Sequence, residues 1–175
     1  TGFLGTPFVV SVLDEMGHAD LAYTLLFNET YPSWFFSINQ GATTMWERWN
    51  SYSHKDGFGK AGMNSFNHYA YGAIGQWMYE RIAGLAPDPE QPGYKHFFIQ
   101  PLPGGPLRWA EAELETPYGS ARSAWQLQGD LMTLEVTVPP NTTATLRVPT
   151  GWKGQDLPAL LTPGEHSLKL RRLQK

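Results

Sequence analysis

The sequence predicts an α+β chain in two parts, a helical half followed by an antiparallel β-sandwich. Three observations predict it. Apolar residues recur at helical spacing as far as Gly84, three prolines crowd residues 86–93, and beyond them the apolar pattern changes to period two. The division expected is residues 1–86 helical, 87–93 linker and 94–175 sandwich.

Thr6 and Pro7 open the first helix, Thr6 as N-cap and Pro7 at the first helical position. Phe8, Val9, Val12, Leu13 and Met16 follow at helical spacing, and Gly17 stands where a helix-ending glycine belongs. A second helix is expected over 19–28, with Leu21, Ala22, Leu25 and Leu26 on one face. Pro32 and Ser33 open a short third helix through Trp34, Phe35 and Ile38 that ends near Gly41. Residues 42–63 read as a loop rich in Ser, Asn, Gly, Lys and Asp, and loops of this length tend to be functional. Asn64 or Ser65 caps the next helix, which runs through Phe66, Ala70, Ala73, Ile74, Trp77, Met78 and Arg81 to Gly84. Gly72 and Gly75 lower its propensity, so close packing against another backbone is expected there.

Strands are expected at 97–100, 107–115, 118–127, 131–138, 144–148 and 167–170. Turn signals at Gly104-Gly105, Pro117-Tyr118-Gly119, Gly129-Asp130, Pro139-Pro140-Asn141 and Pro163-Gly164 separate them. Leu134, Val136 and Val138 alternate with Thr133, Glu135 and Thr137, so one face of that sheet meets water. Four helices with apolar stripes do not close a domain by themselves, because each stripe needs a partner. Phe8, Val12, Leu25 and Trp77 are expected to leave an apolar surface that another segment or a second copy covers.

Bulk properties narrow the function. The 175 residues carry a formal net charge of −3 and a pI near 5.9, so the chain has no overall basic footprint, which argues against nucleic acid as a partner. With 41% hydrophobic and 17% charged residues a packed core is expected. The absence of cysteine excludes disulfides, thiolate metal sites and a cysteine nucleophile. No run is apolar and long enough for a membrane-spanning helix, and no signal peptide is visible. The chain starts at Thr1 directly in patterned sequence, so the native N-terminus is expected upstream, and the compartment is not legible. Seven tryptophans suit either a large core or a sugar site, where flat rings meet the C–H faces of a pyranose.

The densest chemical motif runs from Gly41 through Thr44, Met45, Trp46, Glu47, Arg48 and Trp49 to Asn50. Glu47 is an acid between two tryptophans and beside an arginine. Cleaving a glycosidic bond takes two carboxyl groups, one to protonate the leaving oxygen and one to attack or to activate water. The plainer reading is a surface pair of Glu47 and Arg48 between two structural tryptophans. A second cluster, Asn64, Asn67, His68 and Tyr71, falls in the first turns of the expected helix, where its amides, imidazole and phenol suit sugar hydroxyls. Capping and core packing account for it equally simply. There is no His-x-x-x-His pair, nucleophile elbow, phosphate loop or dinucleotide fingerprint, so neither metal nor cofactor is expected.

Five motifs then occur in order: residues 1–7 (Thr-Gly-Phe-Leu-Gly-Thr-Pro), Pro32-Ser33-Trp34, residues 41–49, residues 63–72 (Met-Asn-Ser-Phe-Asn-His-Tyr-Ala-Tyr-Gly) and Pro92-Gly93-Tyr94-Lys95. Together they resemble the closing part of the bacterial α-L-rhamnosidases, glycoside hydrolase family 78, over residues 1 to about 130. The resemblance implies that the helical half is the last few helices of an (α/α)6 barrel, with a small β-sandwich behind it. It implies an inverting cleavage of terminal α-L-rhamnose with Glu47 as general base. It implies a rhamnose contact for His68, and pocket walls for Trp46 and Trp49; Asn64, from the second cluster, is a further candidate for binding the substrate. The family's general acid lies in an acidic stretch that this sequence does not contain. The partners implied are a rhamnose-containing glycoside and the missing N-terminal part of the barrel, and the chain alone is expected to be inactive.

Two other readings remain open at this stage. A non-catalytic carbohydrate-binding module would show an exposed aromatic on the sandwich, Trp109 or Trp125. A different (α/α)6 glycosidase would keep Glu47 as base. The rhamnosidase reading expects Glu47, Trp46 and His68 to converge on one concavity.

Overall fold

Helix α1 spans Thr6–Glu15 in a computed structural model that describes residues 1–174. The N-cap is Gly5, so Thr6 lies one position inside the helix, and its hydroxyl meets that of Thr1 at 2.9 Å. Proline is tolerated here because the first turn has no intrahelical acceptor for its missing N–H. The helix ends as expected at Gly17, at φ +82°. Gly17 N–H donates to Asp14 O and His18 N–H to Leu13 O, which satisfies two of the last carbonyls.

Helix α1 buries Thr6 and Val10 and half-buries Val9 and Leu13, while Phe8, Val12 and Met16 lie open, as expected for Phe8 and Val12. Helix α2, Ala19–Leu26, stops short of Asn28 and buries Ala22, Tyr23 and Leu26, leaving Leu21 and Leu25 exposed. Helix α3, Trp34–Asn39, is capped by the Ser33 hydroxyl, which accepts from the Phe36 N–H at 3.0 Å. The expected loop holds a short hairpin, β1 (Tyr52–Ser53) against β2 (Gly57–Phe58), followed by a 3-10 turn at Ala61–Met63.

The helix expected from Asn64 or Ser65 begins later. Residues 64–69 are irregular, a 3-10 turn covers Ala70–Ala73, helix α4 is Ile74–Trp77, and a π turn follows at Met78–Ala83. The reason is competition for hydrogen bonds. The first N–H groups of a helix need no intrahelical partner, but its first carbonyls do, and the carbonyls of Ser65, Phe66 and Asn67 accept instead from the Glu47 N–H, the Thr44 hydroxyl and the Ser65 hydroxyl. Trp77 is buried at 2% exposure, contrary to the expectation that it faces outward. Its indole donates to Asp14 at 3.1 Å, and Tyr23 packs edge-on at 5.2 Å. Residues Thr1–Trp77 form one compact unit and a second begins at Met78.

The second unit is two sheets over one core. Strands β3 (Leu85–Pro87), β4 (His96–Ile99), β8 (Thr143–Leu146) and β10 (Leu160–Leu161) make the first, in the order β10-β8-β4-β3. Strands β5 (Trp109–Thr116), β6 (Gly119–Gln128), β7 (Leu131–Val138), β9 (Trp152–Lys153) and β11 (Gly164–Arg172) make the second, in the order β5-β6-β7-β11-β9. The expectation of purely antiparallel pairing is corrected at one place, where β4 and β8 run parallel. The β5–β6–β7 meander intervenes between them, and so long a crossover returns the chain in its original direction. Pro87 sits on edge strand β3, where its missing N–H breaks no ladder.

The alternation read from β7 holds. Met132, Leu134, Val136 and Val138 are buried with Leu85, Phe97, Ile99, Trp125 and Leu170. The π turn is tied to β6 by two buried hydrogen bonds, Trp125 Nε1 to Ile82 O and Ser123 Oγ to Ala83 O, both 2.7 Å. Among the described residues no helix is long and apolar enough to cross a membrane.

Candidate active site

The two motif segments of the helical unit lie side by side. Glu47 N–H donates to Ser65 O at 2.9 Å, and Ser65 N–H donates to the Glu47 carboxylate at 2.5 Å. One step along, His68 N–H reaches Met45 O at 2.8 Å, and the Thr44 hydroxyl donates to Phe66 O. These bonds join what the sequence separates by about twenty residues. They also hold the Glu47 side chain in one direction, because a backbone N–H to a carboxylate is a charge-assisted bond.

Ser51 ties the other end. It is fully buried, takes the Arg48 N–H at 3.1 Å and donates to Asn64 Oδ1 at 2.8 Å. Asn64 therefore serves the loop's own hydrogen bonding through Oδ1, while its buried Nδ2 has no protein partner. A buried amide without a partner is costly, and such groups call for an explanation.

Aromatic packing sets the tryptophans. Trp46 is buried in a box of Phe58, Phe66 and Tyr52, with ring centres 6.1, 5.5 and 6.5 Å away. The β1–β2 hairpin supplies two of these walls. Trp49 stacks on Tyr71 at 4.1 Å and meets Trp34 edge-on at 5.0 Å, and its indole donates to Thr1 O at 2.8 Å. Burial raises the Tyr71 phenol above the usual tyrosine value, and the Arg48 charge offsets part of that.

A cavity of about 300 Å³ opens beside them, walled by Trp34, Ile38, Trp46, Arg48, Trp49 and Tyr71. Trp46, Arg48 and Trp49 reach it, whereas Glu47, bonded through its carboxylate to the Ser65 N–H, is not among its lining residues. Glu47, Asn64 and His68 are thus next to the cavity's segment without forming its wall. His68 stacks between Phe3 at 5.0 Å and Tyr69 at 5.2 Å. Its Nδ1 accepts the Ala70 N–H at 3.2 Å, which leaves the proton of a neutral ring on Nε2. Ser51 and Trp34 were not singled out by sequence reasoning as site residues. A lone buried serine has no periodic signature, and Trp34 reads as an ordinary helix residue. Among the described residues no group of three or more His, Asp or Glu is placed to hold a metal ion.

Residues 1–82 match the model of the bacterial α-L-rhamnosidase six-hairpin glycosidase domain, and residues 84–156 match that of the bacterial α-L-rhamnosidase C-terminal domain. An α-L-rhamnosidase of Formosa agariphila is 63% identical over 150 residues, which is 86% of this chain and 16% of that protein. The crystal structure of Streptomyces avermitilis α-L-rhamnosidase complexed with L-rhamnose superposes with a TM-score of 0.82 at 42% identity, over 99% of this chain and 17% of that one. The α-L-rhamnosidase of Aspergillus terreus gives a TM-score of 0.89 at 36% identity, over 99% of this chain and 20% of that one. The chain therefore spans about a sixth to a fifth of the length of these relatives.

Proposed function

Because the chain belongs to the bacterial α-L-rhamnosidases, we propose that its first unit contributes one side of an inverting rhamnosidase site, with Glu47 as general base. In this reading the helices of residues 1–86 are the last of an (α/α)6 barrel. The rest of the barrel would come from the further length that the relatives have beyond the part matched here. The substrate is a glycoside ending in α-L-rhamnose.

The observation that carries the assignment is the anchoring of Glu47. Its carboxylate and its backbone are both bonded to Ser65, so its position relative to Trp46 and Trp49 is set before any substrate arrives. A base must be held within reach of one water, and preorganisation of this kind is what a general base needs. Oε2 takes the Ser65 N–H, and the carboxylate's remaining lone pairs are the ones that would receive a proton. Water activated there attacks the anomeric carbon as the bond to the leaving oxygen breaks. An acid on the opposite face of the ring, roughly 6.5–9.5 Å from the base in inverting enzymes, protonates that oxygen. That acid, in this reading, comes from outside the chain. His68, with its Nε2 proton, and the walls Trp46 and Trp49 would contact the sugar, and Asn64 would hold the loop that carries them.

The test is hydrolysis of p-nitrophenyl α-L-rhamnopyranoside by a full-length rhamnosidase carrying this segment, by its Glu47→Gln variant, and by this chain alone. The expected result is an active parent, an inert chain, and a variant slower in kcat by about 10²–10⁴-fold. The amide keeps an oxygen for the Ser65 N–H, so circular dichroism of the variant should match the parent. A variant as fast as the parent would remove Glu47 from the mechanism.

A further inference from the structure

The water-facing side of the five-stranded sheet carries a groove that the reading above leaves unused. Trp109 of β5 stands on it at 65% exposure, while its near neighbour in the pattern, Trp125 of β6, is buried at 2% on the core side. The register builds three rows across β5, β6 and β7. Trp109, Gln126 and Thr133 form the first, Glu111, Ala124 and Glu135 the second, and Glu113, Arg122 and Thr137 the third. Ala124 is the small residue in the middle. Its methyl group leaves a dip between the Trp109–Gln126 pair and Arg122, and the groove measures about 460 Å³.

The side chains around the dip are oriented by one another. Arg122 Nε donates to Glu111 at 2.6 Å, and the Ser167 hydroxyl donates to Glu135 at 2.7 Å. One flat apolar ring is thus bordered by an amide, a hydroxyl, a guanidinium and two carboxylates, at cross-strand spacings of roughly 5 Å. Donors and acceptors beside a flat ring match a pyranose, which has a C–H face for the indole and hydroxyls for the rim. Glu111, Glu113 and Glu135 outnumber Arg122 and Lys169, which stands opposite Thr133 on β11, so the local field opposes an anionic ligand.

We infer that this groove is a binding site for a neutral saccharide, stacked on Trp109 and hydrogen-bonded by Gln126, Thr133, Glu111, Arg122 and Glu135. It is separate from the Glu47 reading, since every residue in it belongs to the second unit. It would hold a sugar chain near the enzyme without taking part in cleavage.

The test is a titration of the ¹⁵N-labelled chain followed through its seven tryptophan indole N–H signals, with Trp109→Ala identifying the relevant one. The probes are rutinose, a neutral disaccharide ending in rhamnose, and digalacturonate as an anionic comparison. The expected result is a saturable shift of the Trp109 signal with rutinose alone. Gln126→Ala should weaken it about tenfold, the usual scale for losing one anchoring contact. A Trp109 signal that stays put at saturating rutinose, or that moves equally with digalacturonate, would overturn the inference. Movement confined to Trp46 or Trp49 would overturn it too, while supporting the rhamnosidase reading, so the two can fail independently.

Discussion

At the residue scale, buried side-chain donors decide more than composition suggests. Trp125 and Trp109 are sixteen positions apart on adjacent strands and have opposite roles. The Trp125 indole is buried and gives its N–H to Ile82 O at 2.7 Å. Replacing it with Phe removes volume from the core and leaves a buried carbonyl unpaired. The expected cost is about 2–4 kcal/mol by urea denaturation. Trp109→Phe lies in water and should change stability by less than about 0.5 kcal/mol. Equal effects of the two would contradict the burial described here. Both tryptophans were visible in the sequence as occupants of strands. Which of them faces the core was not, because the register of β5 against β6 decides it.

At the scale of elements, two glycines with similar backbones should respond differently. Gly17 ends α1 at φ +82° and Gly84 follows the π turn at φ +87°. A Cβ on Gly17 would meet nothing within 4 Å, so Gly17→Ala costs only the left-handed conformation, about 1–2 kcal/mol. A Cβ on Gly84 would stand 2.3 Å from Pro101 N and 2.5 Å from its Cα, both backbone atoms that cannot move aside. Gly84→Ala should therefore cost about 3 kcal/mol or more. Thermal melts of the two variants compare them directly, and similar losses would show that the Pro101 segment yields. Local signals served well here. Gly17 ends α1 where the sequence places a helix-ending glycine, Ser33 opens α3 as expected, and β7 occupies the residues its alternation picks out. They failed where long-range bonds compete, as at Ser65 and Phe66, whose carbonyls accept from Glu47 and Thr44 rather than from the next turn of a helix.

At the scale of the whole molecule, the helical unit leaves much of its apolar surface uncovered. Phe8 is 64% exposed, with Val12, Leu21 and Leu25 also open. In the proposed reading the rest of the barrel covers them. A chain of this length alone should then associate with itself through this face. Sedimentation velocity at rising concentration should show dimers or larger species, and the double change Phe8→Ser, Val12→Thr should restore a monomer. Neither side chain is buried, so the double variant should fold as stably as the parent. Association that persists in it would place the contact elsewhere.

By itself the sequence determined the class of the fold, the change from helical to strand period near residue 85, and the family, because these rest on local periodicity and on motifs contiguous in the chain. It also singled out Glu47 and its flanking tryptophans. Only the tertiary structure decided that Glu47 bonds to Ser65 and stands beside the cavity that Trp46 and Trp49 line without forming its wall. The same holds for the burial of Trp77 and for the parallel pairing of β4 with β8. Each of these depends on which distant residues compete for the same hydrogen bond or the same apolar surface. That competition is settled across the fold, and no window of the sequence contains both parties to it.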